Sequence, residues 1–170
     1  MSQPMASIEE LIQELEQETA ATRRVLERVP EDRLEWRPHL KSDTLGQLAM
    51  HVATIPGALA EVSIRPFDVN TPVPRPSAAG ADELLETLSR SVARAIEILR
   101  SLGDRGLDAQ WQMLDGEREL WSLPRGAFLR TTMLNHWYHH RGQLTVYLRL
   151  LGVPLPSVYG DSADEKMVPA

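Results

Sequence analysis

Two histidines near the end of the chain, His136 and His140, have a spacing that suits metal binding. Residues four apart in an α-helix lie one turn apart on the same face, with Cα atoms about 6 Å apart, so both imidazoles can reach one ion. The paired histidines of zincin helices have the same spacing, but there a glutamate follows the first histidine. Trp137 occupies that position here, so a metalloprotease of that class is not indicated. Such pairs also occur as simple surface neighbours, and this alternative stays open.

A helical wheel at about 100° per residue separates the histidines of the chain. His140 lies in the middle of the apolar face of its helix, and His136 lies on the edge of that face. His51 lies on the apolar face of another predicted helix, although a single inward histidine is more typical of a hydrogen-bonded core residue. His139 points away, towards a second apolar strip that consists of Phe128, Val146 and Leu150.

Burying an imidazole among aliphatic side chains is costly unless the ring is bonded. Three inward histidines from two helices would each gain such a bond if their ring nitrogens coordinated one divalent cation. Three neutral nitrogen ligands and one water form the open shell of a catalytic metal site, whereas structural sites are normally closed by four protein ligands. A metal-free core with buried histidines is the alternative.

Four segments with helical periodicity must position these side chains. Ser7 with Glu10, and Thr44 with Gln47, form capping-box patterns at the start of the first two segments. Pro56 lies inside the second segment, where we expect a kink or a local break. The predicted helices span residues 8–29, 44–62, 81–102 and 124–151.

Two of the connections between these helices are long. Residues 66–80 contain four prolines, which predicts an extended connection across the end or side of a bundle. Residues 104–123 contain the pair Asp115-Gly116, a common hairpin turn, so a short hairpin or an irregular loop is expected before the last helix. The expected fold class is all-α: a four-helix bundle formed by residues 1–170 as a single domain.

The composition excludes several classes of function. The chain has 18 basic and 24 acidic residues, so it would gain nothing from counterion release on DNA, and no nucleic-acid partner is expected. It has no cysteine, which excludes disulfides, thiolate metal sites and thiol nucleophiles. No apolar run approaches the roughly 20 residues of a membrane helix, and residues 1–10 lack the pattern of a signal peptide. We therefore expect a cytoplasmic protein with no membrane partner.

Three segments of the chain carry a family resemblance. Residues 135–144 (NHWYHHRGQL) resemble the metal-binding fourth helix of the DinB-like, damage-inducible superfamily. Residues 44–52 (TLGQLAMHV) resemble its second helix, and residues 153–160 (VPLPSVYG) resemble its C-terminal tail. The three segments occur in the family's order. No polymerase activity is implied, because the name is shared with a translesion polymerase only by accident.

The resemblance implies a four-helix bundle in which three histidines hold a divalent ion. Carried over by position, these ligands are His51, His136 and His140, the three that the wheel selects. Zinc or nickel is the first expectation for the metal, with iron or manganese as alternatives, since imidazole suits several of these ions. Family members are often homodimers, so a homodimer is expected.

The resemblance also implies two uses for such an ion. One is a transfer or isomerisation that depends on a low-molecular-weight thiol, and the other is metal-assisted hydrolysis. In both cases the partner is a small-molecule substrate, and any thiol must arrive as a cosubstrate because the chain has no cysteine. No catalytic residue is assigned. The alternative is a non-catalytic, stress-associated metal-binding module whose ion is structural.

Several polar residues could support such a site. Thr19 and Thr22 lie on the inner face of the first predicted helix, with Glu18 at its edge, and all three are candidates to line the cavity above the ion. The alternative is that the hydroxyls bond helix carbonyls and that Glu18 is solvated. Gln143 and Asn135 are candidates to contact the ligands.

The remaining polar residues near the predicted site have open roles. Arg141 is expected at the surface or against the C-terminal tail. His139 is a candidate for an outer contact, a dimer interface or plain exposure. His39 follows a proline in a loop and is expected to face solvent.

Overall fold

The computed structural model describes residues 7–167. Its helices and strands follow one another along the chain, with a 3₁₀ turn at Glu31–Arg33 after the first helix. The last helix begins as α-helix, continues as a π-helical segment and becomes α-helix again. In chain order the elements are α1 (Ile8–Leu26), α2 (Leu45–Ser63), β1 (Phe67–Asp68), α3 (Ala81–Leu107), β2 (Gln110–Asp115), β3 (Arg118–Pro124), α4 (Arg125–Phe128), the π-helical segment (Leu129–Asn135) and α5 (His136–Leu150).

The starts of α1 and α2 confirm both predicted capping boxes. The Ser7 hydroxyl accepts a hydrogen bond from the Glu10 backbone N–H, and the Glu10 carboxylate accepts one from the Ser7 N–H at 2.7 Å. Thr44 and Gln47 form the same reciprocal pair at the start of α2. These bonds satisfy backbone donors that a helix start otherwise leaves without a partner.

Helix α2 continues through Pro56, which changes its hydrogen bonding. Proline has no N–H, so the carbonyl of Val52, four residues earlier, has no helical donor. The indole Nε1–H of Trp137 donates to that carbonyl at 2.8 Å. Because Pro56 leaves the Val52 carbonyl free, this carbonyl accepts a hydrogen bond that joins α5 to α2 in the core.

Helix α2 also lies very close to α3. A Cβ at Gly57 would come within 2.8 Å of the backbone oxygen of Ser91. The Gly57 N–H donates to the Ser91 hydroxyl, and this hydroxyl donates to the carbonyl of Thr54. Gly103 has φ 58° and interrupts the helical backbone of α3, close to the predicted helix end at residue 102.

The expectation of an all-α protein is wrong, because β1, β2 and β3 form a mixed three-stranded sheet in the order β1-β2-β3. The hairpin of β2 and β3 turns at Gly116, where φ is 60°. Strand β1 belongs to the Pro-rich connection (residues 66–80) and pairs parallel with β2. Its extended backbone could be expected from the prolines, but its partner lies more than 40 residues away and leaves no local signal.

The apolar faces of the helices meet in one core. Helix α2 packs against α3 and α5, and α1 packs mainly on α3. The largest side chains in this core are Trp111 of the sheet, Trp137 of α5 and Phe128 of α4. Within residues 7–167, no helix combines the length and apolar character required to cross a lipid bilayer.

Candidate metal centre

The structure brings His51, His136 and His140 together between α2 and the start of α5. The Nε2 atoms of His51 and His136 are 3.4 Å apart. One ligand nitrogen from each of the three rings lies within 4.8 Å of the other two. The ring centroids are 4.6 to 5.3 Å apart, and the ring planes are inclined rather than stacked. The three rings are therefore arranged around a common point.

The distance between two of these nitrogens fits a bound transition-metal ion. Two imidazole nitrogens at about 2.1 Å from a tetrahedral ion are about 3.4 Å apart. This equals the Nε2–Nε2 distance between His51 and His136. Within residues 7–167, no carboxylate or fourth histidine joins the group. The donor set is three neutral nitrogens, which suits zinc, nickel, copper or iron.

The surroundings keep all three rings neutral. Burial lowers the pKa of His51 to about 4, with the neighbouring His140 as the next cause. Burial is also the main cause that lowers the pKa values of His136 and His140. A neutral imidazole has a lone pair for a metal, whereas a protonated ring has none. At neutral pH the cluster therefore presents nitrogen lone pairs to its centre.

Two contacts orient the rings of α5. The Nδ1 of His140 lies 2.9 Å from the Oε1 of Gln143, and this amide oxygen accepts a hydrogen bond from the ring N–H. His136 has a hydrogen bond to the backbone of Thr132, which opposes the lowering of its pKa. An imidazole that donates through Nδ1 keeps its Nε2 lone pair free for a ligand. Gln143 is one of the two residues that the sequence suggested for this role; Asn135, the other, is exposed.

The first helix does not contribute to the cluster. The Glu18 carboxylate lies 2.6 Å from the Arg141 guanidinium and accepts a hydrogen bond from the Tyr159 hydroxyl. The Thr22 hydroxyl accepts a hydrogen bond from Arg141, and the Thr19 hydroxyl donates to a carbonyl of its own helix. Glu18, Thr22 and Arg141, together with Tyr159, join the C-terminal tail to α1 and α5. Of the two positions expected for Arg141, the structure shows the contact with the C-terminal tail, through Tyr159, and the Arg141 side chain is only 3% exposed.

The other histidines lie outside the cluster. His139 is exposed, and its ring centroid is 5.0 Å from that of His140. His39 is exposed and accepts a hydrogen bond from the Lys41 backbone. The second apolar strip is divided, because Phe128 is buried in the core while Val146 and Leu150 are exposed.

A cavity of about 390 Å³ adjoins the cluster at His51 and His136. Its walls come from α2, the sheet, the Pro-rich connection and the last helix. Sequence reasoning assigned no role to Trp111 of β2, Phe67 of β1 or Thr132 of the π-helical segment, which all line it. Trp111 and Met113 alternate with the polar residues Gln110 and Gln112, and this alternation could have indicated that one face of the strand points inward.

The chain is similar to bacterial proteins along nearly its whole length. It is 24% identical over 163 residues to the uncharacterized protein YrdA of Bacillus subtilis strain 168. The alignment covers 94% of this chain and 92% of that protein. A DinB-like protein from Bacillus cereus ATCC 10987 has a similar structure, with a TM-score of 0.72 and 26% identity. That alignment covers 92% of this chain and 100% of the other.

Two further solved structures share the fold. A DinB-like protein from Bacillus subtilis, YjoA, aligns with a TM-score of 0.62 and 19% identity, covering 92% of this chain and 99% of that one. A member of the DinB family from Exiguobacterium sibiricum 255-15 has a TM-score of 0.57 and 20% identity, covering 95% of this chain and 99% of the other. The family model described as the DinB family matches residues 1–167. The chain therefore belongs to the DinB family.

Proposed function

We propose that this protein is a metal-dependent enzyme in which His51, His136 and His140 hold one divalent cation. The observation that carries the proposal is the meeting of three imidazoles at one point with no fourth protein ligand among residues 7–167. Catalytic metal sites typically have three protein ligands, whereas structural sites have four. The histidines leave a coordination position for water or substrate.

A divalent cation in such a site lowers the pKa of a bound water or thiol and so supplies a nucleophile near neutral pH. Gln143 and the backbone of Thr132 orient two of the three ligands, His140 and His136. The chain has no cysteine, so a thiol nucleophile must come from a small cosubstrate. We therefore propose either transfer of a group to a low-molecular-weight thiol or hydrolysis of a small molecule.

Elemental analysis of protein purified without chelators tests the metal, and a substrate panel tests the reaction. We expect about one zinc or nickel ion per chain, and turnover that stops on chelation and returns when the metal is added back. The panel pairs small thiols with electrophiles in one arm and offers esters and amides without thiol in the other. A full metal content without turnover in either arm would favour a non-catalytic module, and the absence of any bound metal would refute the proposal.

A further inference from the structure

We propose that the 390 Å³ cavity beside the histidine cluster receives an uncharged apolar group of the substrate, aromatic or branched alkyl, while the Thr132 hydroxyl binds the substrate's polar centre. This inference rests on the proposed function, because the polar centre is the part of the substrate that meets the histidines. It goes further by naming the substrate class and a residue that selects it.

The lining of the cavity is apolar and carries no formal charge. Among residues 7–167, none of its side chains is Asp, Glu, Lys or Arg, and the only polar ones besides the two histidines are Thr54 and Thr132. A charged substituent would lose its water there without gaining a counter-ion, which is costly. The remaining lining residues are Ile55, Ala58, Leu59, Val62, Phe67, Val73, Pro74, Pro76, Trp111, Met113 and Phe128.

The size of the cavity suits a small organic group. A closed apolar cavity of about 150 Å³ holds one benzene molecule, and small-molecule sites start at about 300 Å³. A volume of about 390 Å³ therefore accommodates a ring with several further atoms. Trp111 and Phe128 form an aromatic wall of this space, with ring centroids 4.1 Å apart and ring planes inclined by 34°.

The Pro-rich connection forms a wall of the cavity and is fixed on both sides of it. At one end, the Val69 N–H donates to the carbonyl of Leu114 beside the paired strands β1 and β2. At the other end, Arg75 donates to the Asp43 carboxylate at 3.2 Å. This ion pair engages the charged group nearest to Val73 and Pro74 in sequence. The residues of the connection that line the cavity are Val73, Pro74 and Pro76, which are all apolar.

The two threonines of the lining differ in their hydrogen bonds. The Thr54 hydroxyl donates to helix carbonyls at 3.0 and 3.1 Å, so it is already satisfied. The Thr132 hydroxyl has no hydrogen bond to a residue within 7–167, and it lies one helical turn before His136. Of the two lining threonines, Thr132 is therefore the one whose hydroxyl is available to bind an oxygen or nitrogen of the substrate.

Hydroxamic acids test this inference, because their head group chelates zinc and their tail can be varied. Isothermal titration of the zinc-loaded protein compares acetohydroxamate, benzohydroxamate and 4-carboxybenzohydroxamate. We expect benzohydroxamate to bind at least tenfold more tightly than the other two. Thr132→Val should weaken all three several-fold, since it removes the hydroxyl at nearly constant volume, while the preference for the phenyl tail remains.

Two matched variants distinguish an effect on the cavity from a general effect of an added negative charge. Val73→Asp places a carboxylate on an exposed residue that lines the cavity, and it should reduce the phenyl preference to less than threefold. Val146→Asp makes the same change at a similarly exposed valine of α5 that does not line it, and it should leave the preference intact. Circular dichroism and zinc content should be unchanged in both, so that an altered preference reports on the cavity.

Failure of this inference is distinguishable from failure of the proposed function. Stoichiometric zinc with equal affinity for all three hydroxamates would overturn the inference and leave the metal site standing. If the protein binds no zinc, the metal-free protein is titrated with the neutral fluorescent probe N-phenyl-1-naphthylamine. Binding that Val73→Asp abolishes and Val146→Asp retains would support an apolar cavity without the metal, and absence of binding would refute it.

Discussion

The Trp137 indole donates a hydrogen bond to the backbone carbonyl of Val52 at 2.8 Å, and each of these residues directly follows a histidine of the cluster. This single bond links the helix that carries His51 to the helix that carries His136. It exists because Pro56 leaves the Val52 carbonyl without a helical donor. The position of the cluster therefore depends on an interruption in the hydrogen bonding of α2.

Replacing Trp137 with phenylalanine tests this link. The variant leaves a buried carbonyl without a donor, which costs about 1–3 kcal/mol of the free energy of unfolding, besides the lost packing. Urea denaturation followed by circular dichroism measures the loss. Trp121→Phe is the control, because Trp121 is 41% exposed on β3, and it should change stability by less than about 0.5 kcal/mol. Equal losses in the two variants would contradict the role given to Trp137.

His140→Ala should abolish stoichiometric metal binding, because it removes one of only three nitrogen ligands. Elemental analysis of the purified variant measures the effect. His139→Ala is the matched control, since this neighbouring histidine is exposed and lies outside the cluster, and it should keep the full metal content. A His140→Ala protein that retains one ion per chain would refute the assignment of His140.

Removal of the metal should lower the melting temperature. An ion held by the three histidines would bind the folded chain and not the unfolded one, so its loss would remove a stabilisation that grows with metal concentration above the Kd. Differential scanning calorimetry before and after chelation measures the shift, and adding back zinc should restore it. A melting temperature that does not change, with metal loss confirmed by elemental analysis, would count against an ion between α2 and α5.

Gln143 orients His140 through the hydrogen bond between its Oε1 and the Nδ1 of the ring, 2.9 Å apart. Gln143→Leu removes the acceptor of the Nδ1–H, and losses of this kind typically weaken metal affinity by about 10- to 100-fold. Competition with a chromogenic chelator measures the affinity. Gln143→Glu keeps an acceptor oxygen at the same place and should restore most of the affinity. If Leu and Glu weaken binding equally, the hydrogen bond has no role in orienting the ring.

The ion pair of Arg141 with Glu18 should stabilise the protein, because both side chains are largely buried and each would otherwise lack a counter-charge. Arg141→Met would leave the Glu18 carboxylate, 15% exposed, without its cation, which costs about 3–5 kcal/mol. The double variant Arg141→Met with Glu18→Gln should recover part of this loss, since no unpaired charge remains. Urea denaturation of the single and double variants measures both effects. A double variant that is less stable than Arg141→Met would contradict this account.

The features that could be predicted from the sequence are those with local signals. The capping boxes at Ser7 and Thr44 depend on residues three apart, and the structure confirms them. The meeting of His51 with His136 and His140 could be expected from two helical wheels and a family resemblance, which the family match confirms. In each case the evidence lies within one helical segment or one motif.

The features that sequence analysis missed depend on distant partners. Strand β1 exists because β2 pairs with it, and Arg141 is buried because Glu18 and Tyr159 meet it from opposite ends of the chain. The wheel also assumed one regular helix from residue 124 to 151, whereas residues 129–135 form a π-helical segment. A π-helical turn contains an extra residue, and its sequence has no distinctive composition.

This π-helical segment sets the rotation between the two ends of the last helix. Phe128 before it packs against Trp111 in the aromatic wall beside the sheet, and His136 after it faces the other two histidines. Deleting one residue between them would turn the two ends relative to each other by about 100°, so that either the wall or the nitrogen cluster loses its partner. Insertions and deletions at this point of the chain are therefore a route by which relatives could uncouple the shape of the substrate site from the coordination of the ion.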